Sequence, residues 1–156
     1  MKRKIVLVLL LACCAVTCIL LRPTIFVVVG NDICYVGKAA EGTHLQIKFI
    51  HSVQKTPVEE NLVVEGRGFR LKSTRYRSFG AGLPFLASEG NFRREGDFFI
   101  MDNMNRFYPS LGLRIGQNTD LTVAVGGKTL KLHNMYPVGT RVDIFIASYA
   151  KGMFHR

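Results

Sequence analysis

The sequence is short of the groups that covalent and metal chemistry require. It has four cysteines, but Cys13, Cys14 and Cys18 lie inside one apolar run, where they serve as small apolar residues. Only Cys34 belongs to the remainder of the chain. One cysteine excludes an internal disulfide, a CxxC redox pair and a cysteine-rich metal site. Cys34 is expected to be a buried strand residue rather than a reactive thiol. The histidines, His44, His51, His133 and His155, lack H-x-H and H-x-x-x-H spacing, so no metal site is read. G-x-S-x-G and S-x-x-K are absent. Ser52 is next to His51 in the chain, and neighbours along a strand point to opposite faces, so the two cannot work as a nucleophile and its base. No catalytic residue and no cofactor is assigned, and an enzyme is the less favoured expectation. A long helical period, internal repeats and a basic helix are also missing after residue 22, which argues against nucleic-acid binding.

The first 22 residues stand apart. Met1-Lys2-Arg3-Lys4 is a basic head, Ile5–Leu21 is apolar with only Thr17 as a weak interruption, and Arg22-Pro23 closes the run. Seventeen helical residues span roughly 26 Å, close to a bilayer core of about 30 Å. A retained membrane anchor is the leading reading. A cleaved signal peptide and a lipoprotein, with Leu10-Leu11-Ala12-Cys13 as lipobox, are the alternatives. Each of the three exports the rest of the chain. The division is thus residues 1–22 as anchor or uncleaved signal and 23–156 as an extracytoplasmic domain. By the positive-inside rule the chain is a single-pass protein of the inner (cytoplasmic) membrane with its C-terminal domain on the outer, periplasmic side. The net charge is +10; without Lys2, Arg3, Lys4 and Arg22 the rest carries 17 basic and 11 acidic residues, or +6. Anionic partners are favoured: headgroups, acidic solutes or an acidic protein face.

Past Pro23 the apolar pattern alternates, with Val, Ile, Phe, Tyr and Thr runs about every ten residues between Gly, Asn and Pro. The expectation is an all-β fold: an antiparallel β-sandwich or partly closed barrel of about eight to ten short strands, preceded by one transmembrane helix. Strands are read near 25–29, 33–36, 44–53, 58–65, 69–79, 98–102, 111–115, 121–125, 129–133 and 141–147. Residues 84–96 read as a surface loop.

Gly126-Gly127 predicts a two-residue turn that sets Val123 opposite Leu130 and Leu121 opposite Leu132. A second hairpin, closed by Gln54–Pro57, sets Phe49 opposite Leu62 and His51 opposite Glu60 on one apolar face. That pair is either a satisfied structural contact or a ligand-binding, proton-handling site. Arg70, Lys72, Arg75 and Arg77 reach one solvated face only if a bulge lies near Ser73 or Thr74. Such a face is an aggregation-resistant edge or, less favoured, a docking surface. Gly80-Ala81-Gly82-Leu83-Pro84 predicts a tight turn.

His51-Ser52-Val53-Gln54-Lys55-Thr56-Pro57-Val58-Glu59-Glu60, with Ser78-Phe79-Gly80-Ala81-Gly82-Leu83-Pro84 further on, resembles the hallmark of the bacterial family called domain of unknown function 1850. The likeness runs from about Leu45 to Ile146. The motif positions are His51, Ser52, Val53, Thr56, Pro57, Val58 and Glu60, then Gly80, Gly82 and Pro84. His51, Ser52, Thr56, Pro57, Glu60, Gly80, Gly82 and Pro84 are the expected binding or interface residues. The family has no assigned chemistry. Its members are similar to proteins found beside TAXI-type tripartite ATP-independent periplasmic transporters. The resemblance therefore implies a membrane-tethered accessory protein for a transporter membrane subunit or solute-binding protein. The alternative is a small-ligand-binding or enzymatic β-domain using His51 and Glu60.

Overall fold

The computed structural model describes residues 2–80, 83, 84 and 86–154. Helix α1, Lys2–Leu21, is exposed along its apolar length, and Arg3–Leu21 is long and apolar enough to cross a membrane. Only Arg22 separates it from the first strand.

Twelve strands are present among the described residues. Four form one sheet: β1 (Pro23–Val29), β2 (Asp32–Lys38), β9 (Ser110–Arg114) and β12 (Arg141–Ser148), in the order β2-β1-β12-β9. The other sheet runs β11-β10-β3-β4-β5-β7-β6, with β8 also on β5. Its strands are β3 (His44–Ile50), β4 (Pro57–Glu65), β5 (Gly68–Tyr76), β6 (Asn91–Glu95), β7 (Phe98–Asp102), β8 (Arg106–Tyr108), β10 (Thr122–Val125) and β11 (Lys128–Lys131). Every pairing is antiparallel and neither sheet closes, so the architecture is a β-sandwich with an N-terminal apolar helix. One apolar core joins the sheets: Ile25, Val27, Val142 and Ile144 from the first meet Leu45, Ile47, Leu62, Phe69 and Val123 from the second.

β1 reads Thr-Ile-Phe-Val-Val-Val without alternation because both of its faces are covered. Ile25 and Val27 enter the core, whereas Phe26 stacks on Phe145 at 5.4 Å on the other face. There it meets the short C-terminal helix α3, Tyr149–Met153. Ser148 caps α3 by accepting from the Lys151 N–H at 3.4 Å.

The Gly126-Gly127 turn has the expected register, Val123 opposite Leu130. Leu132 opens a single helical turn, α2 (Leu132–Met135), and its N–H donates to Leu121 O at 3.0 Å. The bulge in β5 falls at Lys72, since Asn61 pairs with Ser73 but Leu62 with Leu71. Cys34 is half-buried in β2, its sulfur 3.0 Å from the Tyr136 hydroxyl. That contact pushes the tyrosine pKa well above its ordinary value. Three expectations are corrected. Segment 84–96 is not all loop: a 3-10 turn at Ala87–Glu89 leads into β6. The strand read to Val53 stops at Ile50, and the one read to Phe79 stops at Tyr76.

Candidate functional site

The predicted His51–Glu60 pair does not exist. β3 and β4 pair Phe49 with Val58, Lys48 with Glu59 and Ile47 with Glu60. The register differs from the expected one by four residues, because the connecting loop is 51–56 rather than 54–57, so its centre lies two residues nearer the N-terminus. An even shift keeps every side chain on its predicted face, so Leu45, Ile47, Val58 and Leu62 are buried regardless. His51 comes level with Thr56, and Glu60 lies about 13 Å further along β4.

His51 instead builds the loop. Its N–H donates to Thr56 O at 2.9 Å and its carbonyl accepts from Lys55 N–H at 2.9 Å. Its Nδ1 accepts from the N–H groups of Val53 and Gln54, at 3.3 and 3.2 Å. A neutral ring in this setting carries its proton on Nε2. Lys55 has φ +53, the left-handed turn residue. Ser52 is exposed and Pro57 opens β4 opposite Ile50. Thr56 Oγ1 is buried with no hydrogen-bond partner among the described residues.

The two motif segments do meet. A Cβ on Gly80 would come within 3.0 Å of His51 Nε2 and 3.1 Å of Gln54 Cγ, so glycine lets the second segment lie flat on the histidine ring. Leu83 N–H donates to Gly80 O at 3.1 Å, closing the expected turn; Gly82 lies outside the described residues. Pro84 is buried and its carbonyl accepts from the Tyr76 hydroxyl. Burial, helped by the charge of Glu89, raises the Tyr76 pKa, so the phenol stays a donor.

Tyr76 was missed in the sequence, as was the aromatic group around it. Phe79 packs on Phe99 at 4.4 Å, on Tyr76 at 5.8 Å and on Phe92 at 6.1 Å. Phe79 and Phe92 remain 51% and 47% exposed, and Val53 and Leu86 are exposed in the adjoining loops. The density of phenylalanine between residues 79 and 99 was the available signal. The basic strand, by contrast, is largely satisfied internally. Arg70 grips Glu65, Arg75 lies 3.3 Å from Glu59 and 3.5 Å over the Phe98 ring, and Arg77 reaches Asp97 at 3.6 Å.

Glu60 stands elsewhere, half-buried between Ile47 of β3 and Thr74 of β5, with Arg106 near enough to act on its charge. Arg106 bonds Glu89 at 2.9 Å, on the rim of a groove lined by Asn91, Asn103 and Met104. Burial raises the Glu60 pKa and the charge of Arg106 offsets part of that. A carboxyl with a raised folded pKa favours the fold below its unfolded value and loses that contribution as pH rises through the folded pKa. Glu60→Gln is therefore expected to raise the melting temperature near pH 7 and to change little below about pH 4.5. Thermal melts at the two pH values check this, and destabilisation at neutral pH would mean the carboxylate is held by Arg106.

Among the described residues no three His, Cys, Asp or Glu side chains converge to hold a metal ion. No curated protein and no solved structure matches the chain. A family model described as a domain of unknown function, DUF1850, matches residues 45–132, from the start of β3 to the end of β11, and takes in both motif segments and Tyr76 between them. The chain belongs to the DUF1850 family.

Proposed function

We propose that the β-sandwich is a membrane-tethered, extracytoplasmic accessory module that docks on a TAXI-type tripartite ATP-independent periplasmic transporter, through its membrane subunit or its solute-binding protein. The observation that carries this reading is the half-exposed aromatic rim of Phe79 and Phe92, set beside the His51 loop and the Gly80 turn. Aromatic side chains with one face packed and one face open are what interface cores are built from. His51, Gly80, Tyr76 and Pro84 hold the rim's shape and need not touch the partner. The basic balance of the domain favours encounter with an acidic face.

The test is co-purification in mild detergent from native membranes, comparing wild type with a Phe79→Ser, Phe92→Ser double variant. Both side chains are surface-facing, so the variant is expected to fold. Transporter subunits are expected with the wild type and to fall by at least about tenfold with the variant, as for loss of one aromatic anchor. Equal recovery with a folded variant refutes docking through the rim, and no transporter subunit with the wild type refutes the accessory role.

A further inference from the structure

We propose that the junction between α1 and the sandwich is a binding site for the phosphate of a membrane phospholipid; this rests on the reading of α1 as a retained anchor. The site is a cavity of about 420 Å³ lined by Leu21, Pro23, Arg67, Ile146, Ala147, Ser148 and Lys151. Its chemistry is divided. Leu21, Pro23 and Ile146 make an apolar wall, Arg67 and Lys151 supply two cations, and Ser148 offers a hydroxyl. No acidic residue lines it. Arg67, at the β4–β5 turn, and Lys151, on α3, are exposed and have no ion pair among the described residues.

Position decides which anion fits. The apolar stretch Ile5–Leu21 covers about 26 Å at 1.5 Å per residue, close to the thickness of the hydrocarbon layer. Leu21 is its last residue and also a wall of the cavity. With Arg22 alone between helix and strand, the sandwich has no slack, and the cavity sits at the depth of the headgroups. The junction is also stitched: Tyr149 N–H donates to Arg22 O at 3.1 Å, and the Arg22 guanidinium lies 5.3 Å over the Tyr149 ring. Beside it, Met153 is 42% and Phe154 86% exposed, apolar side chains suited to an interfacial layer. An acyl chain along Leu21 and Ile146, with its phosphate between Arg67 and Lys151, satisfies both halves of the cavity. A soluble anion uses only the polar half.

The experiment is native mass spectrometry of the full chain in detergent, titrated with phosphatidylglycerol. It compares wild type with Arg67→Gln, Lys151→Gln and with Arg77→Gln, Arg94→Gln. The second pair removes equal charge: Arg77 follows the far end of β5, about 30 Å from Arg67 along the strand, and Arg94 is on β6 across β7 from that end. Wild type is expected to retain one phospholipid. The junction variant should bind at least about tenfold more weakly, on roughly fivefold per lost cation near a headgroup, and the distal variant should match wild type. Equal weakening in both variants, or none in the junction variant, overturns the site. Displacement by inorganic phosphate assigns it to a soluble anion and overturns it as well. An intact mass lacking the first 22 residues in membrane-extracted protein removes the anchor reading itself, and the site with it. None of these outcomes bears on the aromatic rim.

Discussion

Tyr76→Ala is expected to destabilise the domain by about 3–5 kcal/mol, as for a fully buried aromatic replaced by alanine. For a domain of this size that lowers the melting temperature by roughly 10–20 °C. The ring is completely buried at the end of β5, where a small apolar cluster of Val58, Tyr76 and Leu83 stands apart from the main core. Phe49 and Phe99 close around it. Deleting the ring leaves a cavity that the pleated strands on either side cannot collapse to fill. It also removes the hydroxyl that holds Pro84, and with it the tie between the second motif segment and the sheet. Tyr76→Phe separates the two effects. It keeps the packing and loses one hydrogen bond, a cost of about 1 kcal/mol plus whatever the buried Pro84 carbonyl loses. Thermal melts should rank wild type, Tyr76→Phe and Tyr76→Ala in falling order. Limited proteolysis should show faster cutting around residues 78–90 in Tyr76→Phe at temperatures where the sandwich is still folded. A Tyr76→Phe protein as resistant as wild type would mean that the segment is held by Gly80 and His51 alone.

The same region shows where sequence reading stops. Period-two alternation fixed the buried faces of β3 and β4, since Leu45 and Ile47 stay on the same face as Val58, Leu62 and Val64 under any even register shift. It was silent on which even register. That choice rests on the six-residue loop, and the loop rests on His51 Nδ1 accepting two backbone N–H groups, a side chain-to-backbone contact with no apolar signature. The Gly126-Gly127 hairpin was legible for the opposite reason: a two-residue turn leaves one register open. β6 was missed because all five of its residues are exposed. An edge strand without a buried face has no alternation to detect, and its pairing with β7 is carried by the backbone and by Arg93, which reaches Asp102 at 2.6 Å. Of the candidate site, glycine at position 80 permits the two motif segments to meet but leaves no mark in the sequence of which residue it meets. Tyr76 carries no local mark, because its role depends on a carbonyl eight residues away.

The second large effect is at Gly152. A Cβ there would lie 2.0 Å from Phe26 Cε2 and 2.1 Å from Cζ, well inside contact distance. The atoms met are the far end of a side chain, but not a free one: Phe26 is fully buried and stacked on Phe145. Gly152→Ala therefore displaces either the Phe26 ring or α3. A ring locked between two strands resists more than a five-residue helix at the end of the chain, so α3 is expected to lift. The cost is about 1–3 kcal/mol, as for overpacking a filled site, or roughly 3–10 °C in melting temperature. Lifting α3 moves Lys151 and Tyr149 away from Arg67 and Arg22, so phospholipid retention should fall together with stability. The Arg67→Gln, Lys151→Gln variant should lose retention while its melting temperature stays within a degree or two of wild type, because both side chains are exposed and make no ion pair among the described residues. If Gly152→Ala melts like wild type, Phe26 yields and α3 stays docked, and retention should then be unchanged. If it melts low yet still holds phospholipid, Lys151 on α3 contributes nothing to retention, which overturns the two-cation site.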